Sequence, residues 1–309
     1  VMMAIKNDKT TPHRFDVVSS FLRPENLKQA RVQFEAGQID AHELKQVEDK
    51  AITELIQKEK EAGLKVITDG EFRRATWHLD FMWSFEGIGH APTNTGLPFH
   101  DETAKIDDTF LVGKVELTKE HPFIEHFRFV QQFEDETTVA KLTIPAPAQF
   151  IEQFIMPMNR EQTDKYYAND QELLEDIVAG YGVFIKQAYA AGCRNLQLDD
   201  CSWGVLVDPR AELFFGADQE GLKKIKALLL EINNRVLDAA PADLTINTHV
   251  CRGNFHSTWA CEGGYDDVAD ALLAQEHVNA FFLEFDDHRS GGFEPLASVP
   301  AGKKVVLGL

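Results

Sequence analysis

The chain has 309 residues, 44% of them apolar and 26% charged, proportions usual for a folded soluble protein and enough for one large domain or two small ones. Its net charge of −19, from 50 acidic and 31 basic residues, opposes a phosphate backbone or an anionic bilayer, and no Lys/Arg cluster interrupts it. No stretch approaches the ~20 apolar residues of a membrane span, and the opening residues lack the apolar run of an export signal, so a cytoplasmic location is expected.

In chain order, the apolar run at 17–21 reads as a first strand. Leu44, Val47, Ala51, Leu55 and Ile56 recur at spacings of three and four and predict a helix over 42–62, which Gly63 stops. A strand over 64–68 follows, with Asp69, Gly70 and Glu71 just past its end. The stretch from 86 to 138 reads as an insertion with its own strand (109–117) and helix (122–133), too structured for a linker. The main alternation resumes with a strand at 140–144. A helix over 171–191 buries Leu174, Ile177, Val178, Tyr181 and Ile185, and a strand at 195–198 leads to Asp199 and Asp200. Two further rounds pair a helix at 221–239 with a strand at 244–248, then a helix at 265–275 with a strand at 280–283. The first ends in His249 and Cys251, the second in Glu284. A last apolar strand covers 304–309.

Strands alternating with helices predict an α/β protein with a parallel sheet. Polar residues repeated at the C-terminal strand ends predict a (β/α)₈ TIM barrel, with its active site at that rim and the insertion after strand 2. An open doubly wound sheet is the alternative, but no GxGxxG loop opens a helix. The reading is one catalytic domain over 1–309. Seven strands are counted, so the eighth, needed to close a barrel, is expected beyond Leu309.

The four cysteines, Cys193, Cys201, Cys251 and Cys261, read as reduced thiols or metal ligands in a chain without an export signal. Residues two apart on a strand share a face, so His249 and Cys251 present an imidazole and a thiol together. Glu284 takes the corresponding place after the next strand. Nitrogen, sulfur and carboxylate donors together suit zinc, although a His-x-Cys pair alone also fits buried packing. Cys261 reads as a structural residue before a helix. The segment from Arg73 to Phe81 mixes two cations, Trp77 and His78. It either lines a second substrate pocket, with His78 as proton donor, or forms a rim of ordinary ion pairs. Trp203 either stacks on a flat ligand or packs in the core.

With Asp69-Gly70-Glu71, Ser19-Ser20-Phe21-Leu22-Arg23-Pro24, Leu196-Gln197-Leu198-Asp199-Asp200, His249-Val250-Cys251 and Glu284 in this order, the chain resembles the catalytic domain of cobalamin-independent methionine synthase, in particular its short bacterial branch with a single barrel. The resemblance implies a cytoplasmic methyltransferase of methionine biosynthesis, with Zn²⁺ as cofactor and homocysteine as methyl acceptor. It carries over His249, Cys251 and Glu284 as metal ligands, with a family cysteine beyond Leu309 as the fourth. Glu71 and Asp199 match the carboxylates that hold the acceptor's ammonium group, and Ser20 the serine that binds its carboxylate. The chain departs from the long members in having Ser19 for Gly and Asp200 for Glu. With a single barrel, a compact methyl donor or a corrinoid is expected rather than a polyglutamyl folate. Alkyl transfer to another small thiol, or a barrel that binds an amino acid or metal without turnover, are the competing readings.

Overall fold

The structure, a computed structural model, describes residues 11–309 apart from Asn94 and Phe255; most of the opening read for an export signal lies outside them. Its strands are β1 (Val66–Ile67), β2 (Glu86–Ala91), β3 (Leu97–Pro98), β4 (Thr103–Ala104), β5 (Asp108–Glu116), β6 (Val139–Ala140), β7 (Leu142–Pro145), β8 (Asn195–Asp199), β9 (Thr245–Val250), β10 (Ala280–Glu284) and β11 (Lys304–Gly308). Within the described residues, β7 to β11 form one parallel sheet in chain order, and β1 pairs in parallel with β6. Only Lys141 separates β6 from β7, and its N–H still donates to Ile67 O at 3.0 Å, so the two sheets continue one another across that residue.

Long helices connect the parallel strands, and their sequences explain where they start. Asp40 and Glu43 form a reciprocal capping box at the head of the Ala41–Glu61 helix. Asn169 and Asp218 accept from backbone N–H groups of the first turn at the heads of Asp170–Ala190 and Gln219–Ala239. The predicted helices and strands of the main alternation agree with these elements within a few residues at each end. The core runs continuously from the sheet into the 86–138 segment. Phe81, fully buried, is ringed by Phe85, His121, Phe123, Phe150, Tyr181 and Phe184 at centroid distances of 4.6 to 6.4 Å.

Three expectations need correction. Residues 17–21 are extended but form no strand. Ser19 sits at φ +93°, which breaks the pleat, and side chains take the segment's carbonyls instead of a ladder. Gln197 Nε2 donates to Val18 O at 3.1 Å, Thr68 Oγ1 to Ser19 O at 3.4 Å, and Lys141 Nζ to Val17 O. The expected helix over 265–275 is a 3₁₀ turn (Asp266–Val268) running into a wide turn (Ala269–Leu273). The insertion strand Asp108–Glu116 has an antiparallel partner, Glu86–Ala91, that its composition conceals. Gly87 sits there at φ +86°, where a Cβ would lie 2.1 Å from Lys114 O. Among the described residues the parallel array is open, with no eighth strand.

Candidate active site

The site is assembled at the C-terminal ends of β8, β9 and β10. Strand register pairs Asp199 with His249, and His249 Nδ1 lies 3.0 Å from Asp199 Oδ1. Pairing of Leu283 with Val250 carries Glu284 alongside Cys251. The feature not anticipated is Cys201. Two residues after Asp199, it meets Cys251, two residues after His249, with their sulfurs 2.7 Å apart. Both thiols are half-buried. Gly204 makes the approach feasible, because a Cβ there would lie 2.5 Å from Cys251 O. On the other side, Cys201 N–H donates to Gln149 Oε1 at 3.0 Å.

Charge is unevenly shared in this cluster. The hydrogen bond between the thiols pushes Cys201 well up and pulls Cys251 down, so Cys251 is the more acidic of the two. Burial opposes charge on His249, but the Asp199 hydrogen bond and the Cys251 and Glu284 charges outweigh it and raise the imidazole to about 9. Glu284 is braced: Oε2 accepts from Arg252 N–H at 3.0 Å and Oε1 from Arg289 Nη2 at 2.5 Å. Among the described residues, no three His, Cys, Asp or Glu side chains converge tightly enough to close on an ion as they stand. The donor chemistry nonetheless fits zinc. An imidazole whose Nδ1 is held by a carboxylate keeps Nε2 for a ligand, and a thiol stands beside it.

Glu71 and Asp199 meet on the same side. Glu71, 2% exposed, has φ +62°, a left-handed conformation that a glutamate adopts only under constraint. Its Oε1 accepts from Thr143 Oγ1 at 3.3 Å and lies 3.6 Å from Arg74 Nη1, while Oε2 is buried without a partner. Burial chiefly, with Asp199 and Asp69 adding, raises the Glu71 carboxyl to about 7 against the pull of Arg74 and Arg23. Arg23 ties this corner to Ser20: its guanidinium donates to Ser20 Oγ at 3.0 Å and Glu71 O at 2.8 Å. A cavity of about 440 Å³ lies on the His249 and Ser20 side of the cluster, lined by Ser20, Phe21, His249, Asn254 and Glu284 among others, with Glu71 and Asp199 outside its lining.

The remaining predicted residues fall elsewhere. His78 is buried, stacked on Trp77 at 4.2 Å, and burial drops its imidazole to about 3. It lines a second cavity of about 650 Å³ with Gln149, Glu152, Met156 and Phe110, and among the described residues no lysine or arginine lines that cavity. Gln149 is thus shared between this cavity and the Cys201 backbone. Arg73 is spent on Glu48 and Asp49, an ordinary ion pair. Trp203 packs in the core. Cys261 is buried, its N–H donating to Arg252 O at 2.9 Å. Asp200 faces the helices, accepting from Ser202 and, at 3.0 Å, from Asn233 Nδ2.

No protein-family model matches the chain. It is 40% identical over 309 residues to the uncharacterized protein YxjH of Bacillus subtilis, covering 98% of this chain and 79% of that one, and 38% identical to YxjG of the same organism (97% and 78%). A methionine synthase of Saccharolobus solfataricus is 27% identical over 203 residues, 61% of this chain and 55% of that one. Among solved structures, the putative vitamin-B12-independent methionine synthase of Listeria monocytogenes superposes with a TM-score of 0.74 at 32% identity, over 98% of this chain and 81% of that one. A B12-independent methionine synthase from Shewanella, solved with selenomethionine, shares the fold at a TM-score of 0.57 and 18% identity, over 88% and 72%. An α/β parallel fold with thiol, imidazole and carboxylates at its strand ends, together with these relatives, defines an enzyme of the methyltransferase class. The chain belongs to the vitamin-B12-independent methionine synthase family.

Proposed function

We propose that this enzyme transfers a methyl group to the sulfur of homocysteine, forming methionine, in a cytoplasmic pathway of amino-acid biosynthesis. The observation that carries the reading is the unpartnered Glu71 Oε2, buried beside Asp199, on the same rim as the Cys251 thiol and His249. An amino thiol needs both features at once, carboxylates for its ammonium and an activating centre for its sulfur. In this reading residues 1–309 form one catalytic domain of a (β/α)₈ barrel, with 86–138 as an insertion.

His249, Cys251 and Glu284 would hold the zinc, which when bound deprotonates a coordinated thiol outright. Around it, Glu71 and Asp199 bind the acceptor's ammonium, and Asp199 also fixes the imidazole through Nδ1. Ser20, oriented by Arg23, binds the acceptor's carboxylate. The second cavity receives the methyl donor. His78 on its wall is neutral at physiological pH and serves there as a hydrogen-bonding or proton-relay group. That cavity is of a size for a small organic compound. With no lysine or arginine among the described residues of its lining and a net charge of −19 on the chain, it favours a compact methyl donor over a polyglutamyl folate.

The test is elemental analysis together with homocysteine-dependent methylation over a panel: a methyl-sulfonium compound, methylcobalamin, and mono- and triglutamyl methylfolate. Stoichiometric zinc, lost in Cys251→Ser, with turnover of the small donor, is expected. Unchanged zinc in Cys251→Ser would remove the metal assignment, and strong preference for the triglutamyl folate would remove the donor assignment.

A further inference from the structure

We propose that Cys201 is itself a metal-binding thiolate, a second sulfur donor beside Cys251; this rests on the metal reading above. Four observations bear on it. The parallel register that sets Asp199 beside His249 continues two residues further on both chains and brings the Cys201 and Cys251 sulfurs to 2.7 Å. Sulfurs this close can both reach one ion once they part slightly. The backbone is also built to keep Cys201 there. Its N–H is fixed by Gln149, the adjacent Ser202 is bonded to the buried Asp200, and Gly204 is the small residue that lets the following helix rest against Cys251 O. A merely space-filling residue needs none of these restraints. Thirdly, both thiols are half-buried and so reachable by an ion, whereas Cys193 is buried in the core, its Sγ donating to Asn195 O. Finally, the donors complement one another. An imidazole and two sulfurs are the soft donor set that selects zinc or cobalt over calcium or magnesium, and His249, Cys251 and Cys201 would close on an ion only after a side-chain adjustment.

Binding has a geometric consequence. Two sulfurs at ~2.3 Å from a tetrahedral ion stand about 3.8 Å apart, so ion entry parts the thiols by about 1 Å, within reach of a side-chain torsion. Both sulfurs bind as thiolates, so any proton they carry is released to solvent as the ion enters.

Cobalt(II) loaded into the chelator-stripped protein reports this directly, because each cobalt–thiolate bond adds to a near-ultraviolet charge-transfer band. The native protein should show a two-thiolate band, and Cys201→Ser should lower it by about half, as Cys251→Ser does. Affinity in competition with a chromophoric chelator should fall more than ~10-fold in Cys201→Ser, beyond the least that losing even an outer-sphere partner costs. Cys201→His, which replaces one donor by another, should recover most of the affinity without the lost band intensity. Thermal unfolding of the metal-free variants, within a few degrees of native, shows that they fold. A native band that Cys251→Ser reduces and Cys201→Ser leaves unchanged overturns this inference and spares the metal reading. No thiolate band in the native protein overturns both.

Discussion

Glu71→Gln isolates one charge in the acceptor site. Glutamine keeps the volume and the bond from Thr143 and removes only the carboxylate's charge, at a position 2% exposed. A charge-assisted hydrogen bond to an ammonium contributes about 1.5–3 kcal/mol. KM for homocysteine should therefore rise roughly 10- to 150-fold, at 1.4 kcal/mol per factor of ten. The ammonium takes no part in bond making, so its binding is the same in ground and transition states, and kcat should stay within about threefold. Zinc content should not change. A pH signature distinguishes charge loss from misfolding. Burial chiefly raises the Glu71 carboxyl to about 7, so below that pH the wild-type group gains a proton and loses its attraction. Wild-type KM should climb about tenfold per pH unit below 7, and the variant's should be flatter. Steady-state kinetics from about pH 5.5 to 8.5 measure both. A change in KM under twofold, or identical pH slopes, would refute the assignment.

Two predictions concern stability. Glu152 is buried and, chiefly through desolvation with Asp200 adding, keeps its proton to about pH 8. Its folded pKa lies above the unfolded one, so it costs nothing below the unfolded value, destabilises increasingly as pH rises from there to about 8, and levels off above. Glu152→Gln should raise Tm over wild type by several degrees near pH 9 and hardly at all near pH 5; equal shifts at both would refute the charge argument. Phe81→Ala empties the centre of the aromatic ring cluster and should cost about 3–5 kcal/mol in urea unfolding, and a loss under 1 kcal/mol would mean that the cluster collapses to fill the void.

The long helices and β8 to β11 were legible because apolar spacing and strand-end polarity agree, and the caps at Asp40, Asn169 and Asp218 start those helices within two residues of where the spacing put them. Residues 17–21 look like a strand from hydropathy alone, and only the positive φ of Ser19 and the claims of Lys141 and Gln197 on its carbonyls show otherwise. Cys201 escaped notice for a different reason. His-x-Cys is visible along one strand, but its alignment with Asp199-x-Cys201 depends on a register between segments 50 residues apart, fixed by the sheet and not by neighbours in sequence. The clue available was that both segments are strand ends carrying a cysteine two residues after a titratable group.

Because the sulfurs and the imidazole–carboxylate pair lie across the seam between β8 and β9, any ion or substrate bound there clamps two strands together and not merely a loop. The binding free energy is then delivered to the backbone hydrogen bonds of that seam. Amide exchange should slow most along Asn195–Asp199 and Thr245–Val250 when the site fills, and least in the 86–138 segment, which takes no part in the seam. Occupancy of the site would thus be readable far from the chemistry, in how long the sheet keeps its deuterium out.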